Sequence, residues 1–172
     1  MKYFLGMLIV LTSMTAVHAN AQNTNVFYGG GIGLSFGTVD YIEVAPMIGL
    51  QITDDFSTGI NLVYRYRDDS RYTPSLSTSD YGGGVFARYR VLPNLFAQTE
   101  YEYLNFEYYD VSADKRSDSY SSFLVGGGIS QPIGSNAALH AAVLYNLSYS
   151  DSDLYRPYDS PWVVRIGVSA GF

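Results

Sequence analysis

The chain has 172 residues, no cysteine and a net charge of −6. Without cysteine it can form neither a disulfide nor a thiolate metal site, and an acidic chain with no basic patch is a poor partner for nucleic acid. Tyrosine, with 17 residues, outnumbers phenylalanine with 9 and tryptophan with 1. The apolar ring and polar tip of tyrosine suit a boundary between lipid and water.

The N-terminus has the pattern of a cleavable export signal. Lys2 supplies a positive charge, residues 3–11 form an apolar run too short to span a bilayer, and Ala19-Asn20-Ala21 provides small residues around a cleavage point. We expect the mature chain to begin at Gln22, with a cut two residues earlier as the near alternative. The predicted organisation is therefore a signal peptide, residues 1–21, and a single domain, residues 22–172.

After the signal, apolar and polar residues alternate with period two in stretches of about ten residues separated by polar turns, as in tilted membrane strands. A change of phase near residues 104–106 suggests a bulge in the fifth stretch. Barrels of six or ten strands remain alternatives if that stretch or the ends of the chain are divided differently. The eight predicted strands lie near residues 26–37, 41–52, 60–66, 81–91, 95–109, 120–130, 139–149 and 162–172.

The turns indicate that the apolar faces point to lipid. Short turns at residues 53–57, 92–94 and 131–136 alternate with long loops at 67–79, 110–119 and 150–160, as in outer-membrane barrels. Equivalent rim positions also recur at intervals of 40 residues, at Ile52, Leu92, Pro132 and Phe172. Aromatic residues crowd the predicted strand ends and would form an interfacial girdle: Tyr66, Tyr81, Tyr108, Tyr109, Tyr120, Tyr149 and Trp162.

The last eleven residues alternate in the same way and end in phenylalanine, and the first strand is rich in glycine. With the hairpin rhythm, these features resemble the porin-like outer membrane protein β-barrel domain family, which includes small eight-stranded barrels similar to OmpX and the OmpA transmembrane domain. The resemblance implies an all-β, antiparallel, up-and-down transmembrane barrel in the bacterial outer membrane. It also implies that the assembly machinery of that membrane recognises the last strand through Trp162, Val164, Ile166, Val168, Ala170 and Phe172.

The polar faces would place a charge network in the lumen, formed by Glu43, Arg65, Arg67, Arg88, Arg90, Glu100, Glu102 and Arg165. We expect Arg88 opposite Glu100, Arg90 opposite Gln98, and Glu43 near Arg65 or Arg67. Buried charges must be paired, and eight strands enclose a space that side chains just fill. A structural plug is therefore favoured over a narrow polar pore.

We expect no catalytic, cofactor or metal site. His140 is the single histidine of the predicted mature chain and has no serine two residues away on its strand, so the pair needed by a lipid-modifying barrel enzyme is not evident. Acidic pairs in the loops could bind calcium, but solvated acidic loops are commoner. These pairs are Asp68 and Asp69, Asp114 and Asp118, and Asp151 and Asp153.

The long loops also carry Tyr72, Tyr155 and Tyr158, which could contact lipopolysaccharide, host surfaces or other proteins. The expected function is that of a non-catalytic, monomeric outer-membrane protein, surrounded by lipid and lipopolysaccharide, with a structural or surface-interaction role. The alternative is a narrow porin-like channel for small polar solutes.

Overall fold

The computed structural model describes residues 25–35, 39–69, 76–110, 112, 114–150, 152, 155–158 and 160–171. The predicted signal peptide, Tyr72 and Phe172 lie outside these residues. The described part of the chain contains no helix that is long and apolar enough to cross a membrane.

Eight antiparallel strands form a closed barrel in which each strand pairs with its neighbours in the sequence and β1 pairs with β8. The prediction of an eight-stranded up-and-down barrel is confirmed, and the alternatives of six and ten strands are wrong. The strands are β1 (Val26–Ser35), β2 (Val39–Gln51), β3 (Phe56–Asp69), β4 (Leu76–Leu92), β5 (Leu95–Tyr109), β6 (Lys115–Pro132), β7 (Ala137–Asn146) and β8 (Trp162–Ala170).

The outer face of the barrel is apolar. Leu62, on the outer face of β3, is 64% exposed, whereas Arg65, on the inner face of the same strand, is buried in the lumen. In β5, exposed and buried side chains alternate without interruption from Leu95 to Leu104. This sense of alternation is opposite to that of a soluble barrel and is the one that lipid requires.

Alternation in β5 continues through Leu104 and Phe106, both of which are buried, so the predicted bulge at this point is wrong. The register instead shifts in β4, between Arg90 and Leu92. The irregularity lies beside the tight turn at Pro93 and Asn94, where the ladder between β4 and β5 must close within two residues.

Strands β3 to β6 are longer than the others and form two extended hairpins at the long-loop end. The β3–β4 hairpin continues to the pair Asp69 and Leu76, and the β5–β6 hairpin continues to the pair Tyr109 and Lys115. The predicted loops 67–79 and 110–119 are therefore partly strand. Side chains join the hairpins: the Ser79 N–H donates to Glu107 Oε2 over 2.8 Å.

Three phenylalanine rings lie inside the barrel towards the short-turn end, and each lies over a glycine of an adjacent strand. A Cβ atom at any of these glycines would overlap the ring, so the absence of a side chain on one strand makes room for the aromatic residue of the next. The pairs are Phe27 over Gly49, Phe86 over Gly59, and Phe96 over Gly128.

Candidate functional site in the barrel lumen

A buried ion pair forms between adjacent strands at the centre of the lumen. Glu43 of β2 and Arg65 of β3 are register partners, and both side chains point inward. Arg65 donates to Glu43 Oε2 from Nη2 over 2.6 Å and from Nε over 3.0 Å. The side chains of Arg65 and Glu43 are 1% and 4% exposed, so this pair depends on the protein rather than on water for its partners.

Arg165 of β8 links this pair to the opposite wall of the barrel. Its Nη1 lies 3.0 Å from Glu43 Oε1, and its Nη2 lies 2.8 Å from Glu102 Oε2 and 3.3 Å from Glu100 Oε2. Since Glu100 and Glu102 both belong to β5, one guanidinium connects three strands. The interior is thus crossed by charge-assisted hydrogen bonds, which are stronger than neutral ones.

Asp80 of β4 completes the central network. Its Oδ1 lies 2.8 Å from Arg67 Nη2, and its Oδ2 lies 3.7 Å from Arg65 Nη1. Arg67 also donates to the carbonyl of Glu107 over 2.9 Å. The structure therefore brings together six of the predicted lumen charges, namely Glu43, Arg65, Arg67, Glu100, Glu102 and Arg165, around an aspartate that the sequence interpretation did not single out.

Tyr158, in the connection between β7 and β8, enters the lumen and caps this network. Its hydroxyl donates to Glu102 Oε1, and its ring centroid lies 4.6 Å from Arg65 Cζ. The preceding carbonyl, of Pro157, accepts from Arg65 Nη1 over 2.9 Å. The prediction that Tyr158 is a surface-contacting loop residue is therefore wrong, because its side chain is buried and held by the network.

An apolar layer lies against Tyr158 inside the barrel. Leucines from β5, β6 and β7 meet there, and each is fully buried. The layer consists of Ala45, Val63, Leu104, Leu124, Leu144 and Val163, with Tyr120 and Tyr149 packed against it. Ions and apolar groups thus fill the middle of the barrel together.

Arg88 and Arg90 do not have the partners that the sequence suggested. Arg88 is opposite Gln98 and Arg90 is opposite Phe96, a difference of two residues from the predicted register. The Arg88 Nε donates to Gln98 Oε1 over 2.8 Å. Arg90 lies at the rim rather than in the network, with its half-exposed side chain 3.6 Å from Asp55 Oδ1.

The predicted girdle is only partly on the outer face. Tyr66, Tyr81 and Trp162 are exposed there, and Trp162 makes an edge contact with Tyr145 at 5.0 Å between ring centroids. Tyr120 instead packs against the interior layer, Tyr108 stacks on Tyr155 at 4.1 Å, and Tyr149 lies beyond the end of β7. Tyr109 donates to the carbonyl of Ser77 over 3.5 Å.

The positions of the proposed assembly signal form one continuous outward stripe on β8. These are Trp162, Val164, Ile166, Val168 and Ala170, all exposed on the outside of the barrel. Their placement makes the stripe accessible to lipid along the full length of the strand.

His140 contacts a serine on the adjacent strand, inside the barrel. Its Nε2 is hydrogen-bonded to Ser169 Oγ of β8, a contact that a search along one strand cannot find. Ser169 is 1% exposed, and His140 Nδ1 has no hydrogen-bond partner. Among the described residues no carboxylate is hydrogen-bonded to the imidazole, so the pair lacks the orienting acid of a nucleophilic site.

The acidic residues of the β5–β6 tip bind their own backbone. The Asp110 carboxylate accepts from the N–H groups of Asp114 and Ser112 and from Arg116. The Asp114 N–H is the main cause that lowers the pKa of Asp110. Among the described residues, no group of three or more His, Asp or Glu side chains is arranged to hold a metal ion.

A closed antiparallel barrel with apolar residues outside and paired charges inside has the architecture of an eight-stranded transmembrane barrel of the outer-membrane type. Neither the known protein families nor the curated proteins give a match to this sequence. The structure is similar to the crystal structure of the N-terminal β-barrel domain of Pseudomonas aeruginosa OprF, with a TM-score of 0.54 and 14% identity over 87% of this chain and 98% of that chain. A designed transmembrane β-barrel shares 15% identity over 87% and 97% of the two chains, with a TM-score of 0.36.

Proposed function

We propose that the chain is a non-catalytic outer-membrane protein with a structural or surface-interaction role. The observation that carries this proposal is the contrast between two parts of the molecule. The Arg65–Glu43–Arg165 network and the apolar layer occupy the centre of the lumen, while two hairpins extend beyond the barrel. Because the centre of the lumen is filled, the outer face and the extended hairpins are the surfaces available to large molecules.

The alternation of turns supports an orientation with the short-turn end in the periplasm and the extended hairpins outside the cell. Export would depend on the predicted signal peptide, and insertion on recognition of the β8 stripe by the assembly machinery. Lipid and lipopolysaccharide would then surround the apolar face of the barrel.

The β5–β6 hairpin has a free strand edge that supports a surface-interaction role. Residues 115–119 pair with β5 on one side, whereas β7 pairs with β6 only from Leu124 onward. No described strand pairs with the other side of residues 115–119. Such an edge presents backbone groups to which an extended protein segment can add as a further strand.

Removing the tip of this hairpin tests the surface role. Phe106 and Asp118 are register partners, so joining them through an Asn-Gly turn removes residues 115–117 of the edge and keeps the barrel register. We expect cells that carry this variant to adhere less to host surfaces and to survive less well in serum. The matched control replaces Asp54 and Asp55, at the opposite end, with Asn-Gly. Unaltered adhesion and survival would overturn the surface role and leave the structural one.

A narrow channel is the second candidate, and one observation favours it. A cavity of about 50 Å³ lies below the network among Arg88, Gln98, Glu100 and Arg165, a volume of the order needed for one or two water molecules. It adjoins the wider cavity of the short-turn end, since Arg88 and His140 line both.

Conductance in planar bilayers separates the two candidates. A lumen closed by buried ion pairs and an apolar layer is expected to give no discrete steps from the purified wild-type protein. A porin known to conduct, reconstituted in the same lipid, provides the positive control. Reproducible wild-type steps that change size in Arg165→Gln would favour the channel over the structural role.

A further inference from the structure

The short-turn end of the barrel holds a cavity of about 420 Å³ that opens beside the turns of Asp54, Pro93 and Gly134. Pockets for small organic ligands are typically about 300–1,000 Å³. Phe27, Phe96 and Ala138 supply apolar lining, while Arg88 and His140 supply polar groups. The cavity is therefore large enough for a small molecule and has both apolar and hydrogen-bonding surface.

Arg88 differs from the three arginines of the central network. Among the described residues, Arg65, Arg67 and Arg165 each have a carboxylate within 4 Å, whereas Arg88 has none. Its Nε donates to Gln98, and its Cζ lies 4.3 Å from the Phe96 ring centroid. The guanidinium thus brings to the cavity a positive charge that has no carboxylate in direct contact, and its terminal nitrogens can take an anionic partner.

The nearest acidic groups are already engaged. Glu100 accepts from Gln98 Nε2 and lies 3.3 Å from Arg165, and Asp55 at the rim lies 3.6 Å from Arg90. Gln98 therefore separates Arg88 from Glu100 in a chain of hydrogen bonds. No described carboxylate makes a direct ion pair with Arg88, whose side-chain partner is the amide of Gln98.

His140 provides a second polar group, one of whose ring nitrogens has no hydrogen-bond partner. Its side chain is 6% exposed, its Nε2 is bonded to Ser169, and its Nδ1 has no partner. The imidazole also lies edge-on to Phe96, with ring centroids 6.2 Å apart. A buried polar atom without a partner is costly unless something binds it, and this atom belongs to a side chain that lines the cavity.

We propose that this cavity binds a small organic anion, a carboxylate or phosphate ester with an apolar body, that enters from the short-turn end. Arg88 holds the anionic group by charge-assisted hydrogen bonds through its terminal nitrogens. His140 donates from Nδ1 in the neutral tautomer in which Nε2 accepts from Ser169. The Phe27 and Phe96 rings cover the apolar body. This binding site is independent of the extended hairpins and of the surface role.

Calorimetric titration of the full-length protein in an uncharged maltoside detergent tests the proposal. Benzoate and phenyl phosphate are the anionic probes, and benzyl alcohol is the neutral probe of similar size. We expect at least one anion to bind about tenfold more tightly than benzyl alcohol, since hydrogen bonds to charged groups are the stronger ones. The comparison of benzoate with phenyl phosphate distinguishes a carboxylate site from a phosphate site.

The matched variants are Arg88→Gln, which removes the charge at the cavity, and Arg116→Gln, which removes an arginine at the opposite end. Arg88→Gln should weaken anion binding about tenfold or more, Arg88→Lys should restore part of it, and Arg116→Gln should bind as the wild type does. Equal binding by Arg88→Gln and the wild type, or no anion binding at millimolar concentration, would overturn the proposal. Inorganic phosphate binding as tightly as phenyl phosphate would contradict the organic part of the ligand.

The amide spectrum of the wild-type protein provides a test that does not depend on folding of a variant. Addition of the anion should shift the amide resonances of Gln98, Ser130 and His140, which lie near the cavity, and leave that of Ser117 in the extended hairpin unchanged. Shifts confined to the hairpins, or spread equally over both ends, would contradict binding in this cavity.

Discussion

Replacing Arg65 with methionine is expected to lower the free energy of unfolding by about 3–5 kcal/mol, the usual cost of removing one partner of a buried ion pair. Arg65 is 1% exposed and makes two hydrogen bonds to Glu43. Its removal leaves Glu43 with Arg165 alone and takes from Asp80 one of its two arginines. The buried carboxylates would then lack the cation that compensates their loss of water.

The same substitution should also weaken the attachment of the Pro157–Tyr158 segment to the lumen network. Without the guanidinium, the Pro157 carbonyl loses its donor and the Tyr158 ring loses its cation contact. Urea unfolding in lipid vesicles, followed by the fluorescence of Trp162, measures the change; the chain contains no other tryptophan. Arg116→Met is the control, because the Arg116–Asp110 pair is at the exposed hairpin tip and such pairs contribute little. Equal stability of the two variants would contradict a structural plug.

Leu62→Arg should have the second large effect. Leu62 is 64% exposed on the outer face of β3, about midway between its ends. If this face contacts lipid, an arginine there costs about 2–4 kcal/mol of folding free energy in a bilayer. In a water-soluble barrel the same substitution at so exposed a position would be nearly neutral.

Ser117→Arg is the matched control for Leu62→Arg, because Ser117 is exposed on the extended hairpin. Folding into vesicles, measured by the heat-dependent shift of the folded protein on unboiled gels and by urea titration, should be impaired for Leu62→Arg and unchanged for Ser117→Arg. Two variants of equal stability would show that the outer face of β3 does not contact the hydrocarbon.

The number of strands and the direction of their faces could be predicted because lipid imposes a period of two on each membrane strand. The extended parts of β3, β4 and β6 could not be predicted, because those segments lie beyond the apolar band and their polar composition is typical of loops. Asp80, in β4, was missed for that reason: it follows a run of serine and threonine that carries no alternation of hydrophobicity.

The lumen could be predicted in composition but only partly in contacts. The Glu43–Arg65 pair follows from a hairpin with a short turn, so residues near in sequence meet. The partner of Arg88 could not be predicted in this way. Because the register shifts in β4 beside the turn at Pro93 and Asn94, Arg88 lies opposite Gln98 and not opposite Glu100. A register error of two residues preserves the inward face and changes the partner.

Contacts between segments that are distant in the sequence could not be predicted from the alternation of apolar and polar residues. Tyr158 enters the lumen because Glu102 and Arg65 provide partners there, and both lie on other strands far away in the sequence. The contact between His140 and Ser169 likewise depends on the pairing of β7 with β8. Such contacts follow from the closed geometry and not from local pattern.

The orientation of β8 towards lipid can be measured directly, because the chain contains no cysteine and any introduced cysteine is unique. Spin labels at Val164→Cys and Ile166→Cys, on the outer face, should in vesicles be accessible to oxygen dissolved in the lipid and protected from a water-soluble nickel chelate. A label at Ser152→Cys, an exposed position in the loop between β7 and β8, should show the reverse. If the labels at positions 164 and 166 were as accessible to the chelate as the one at 152, the outer face would be facing water and the assignment of a membrane barrel would be wrong.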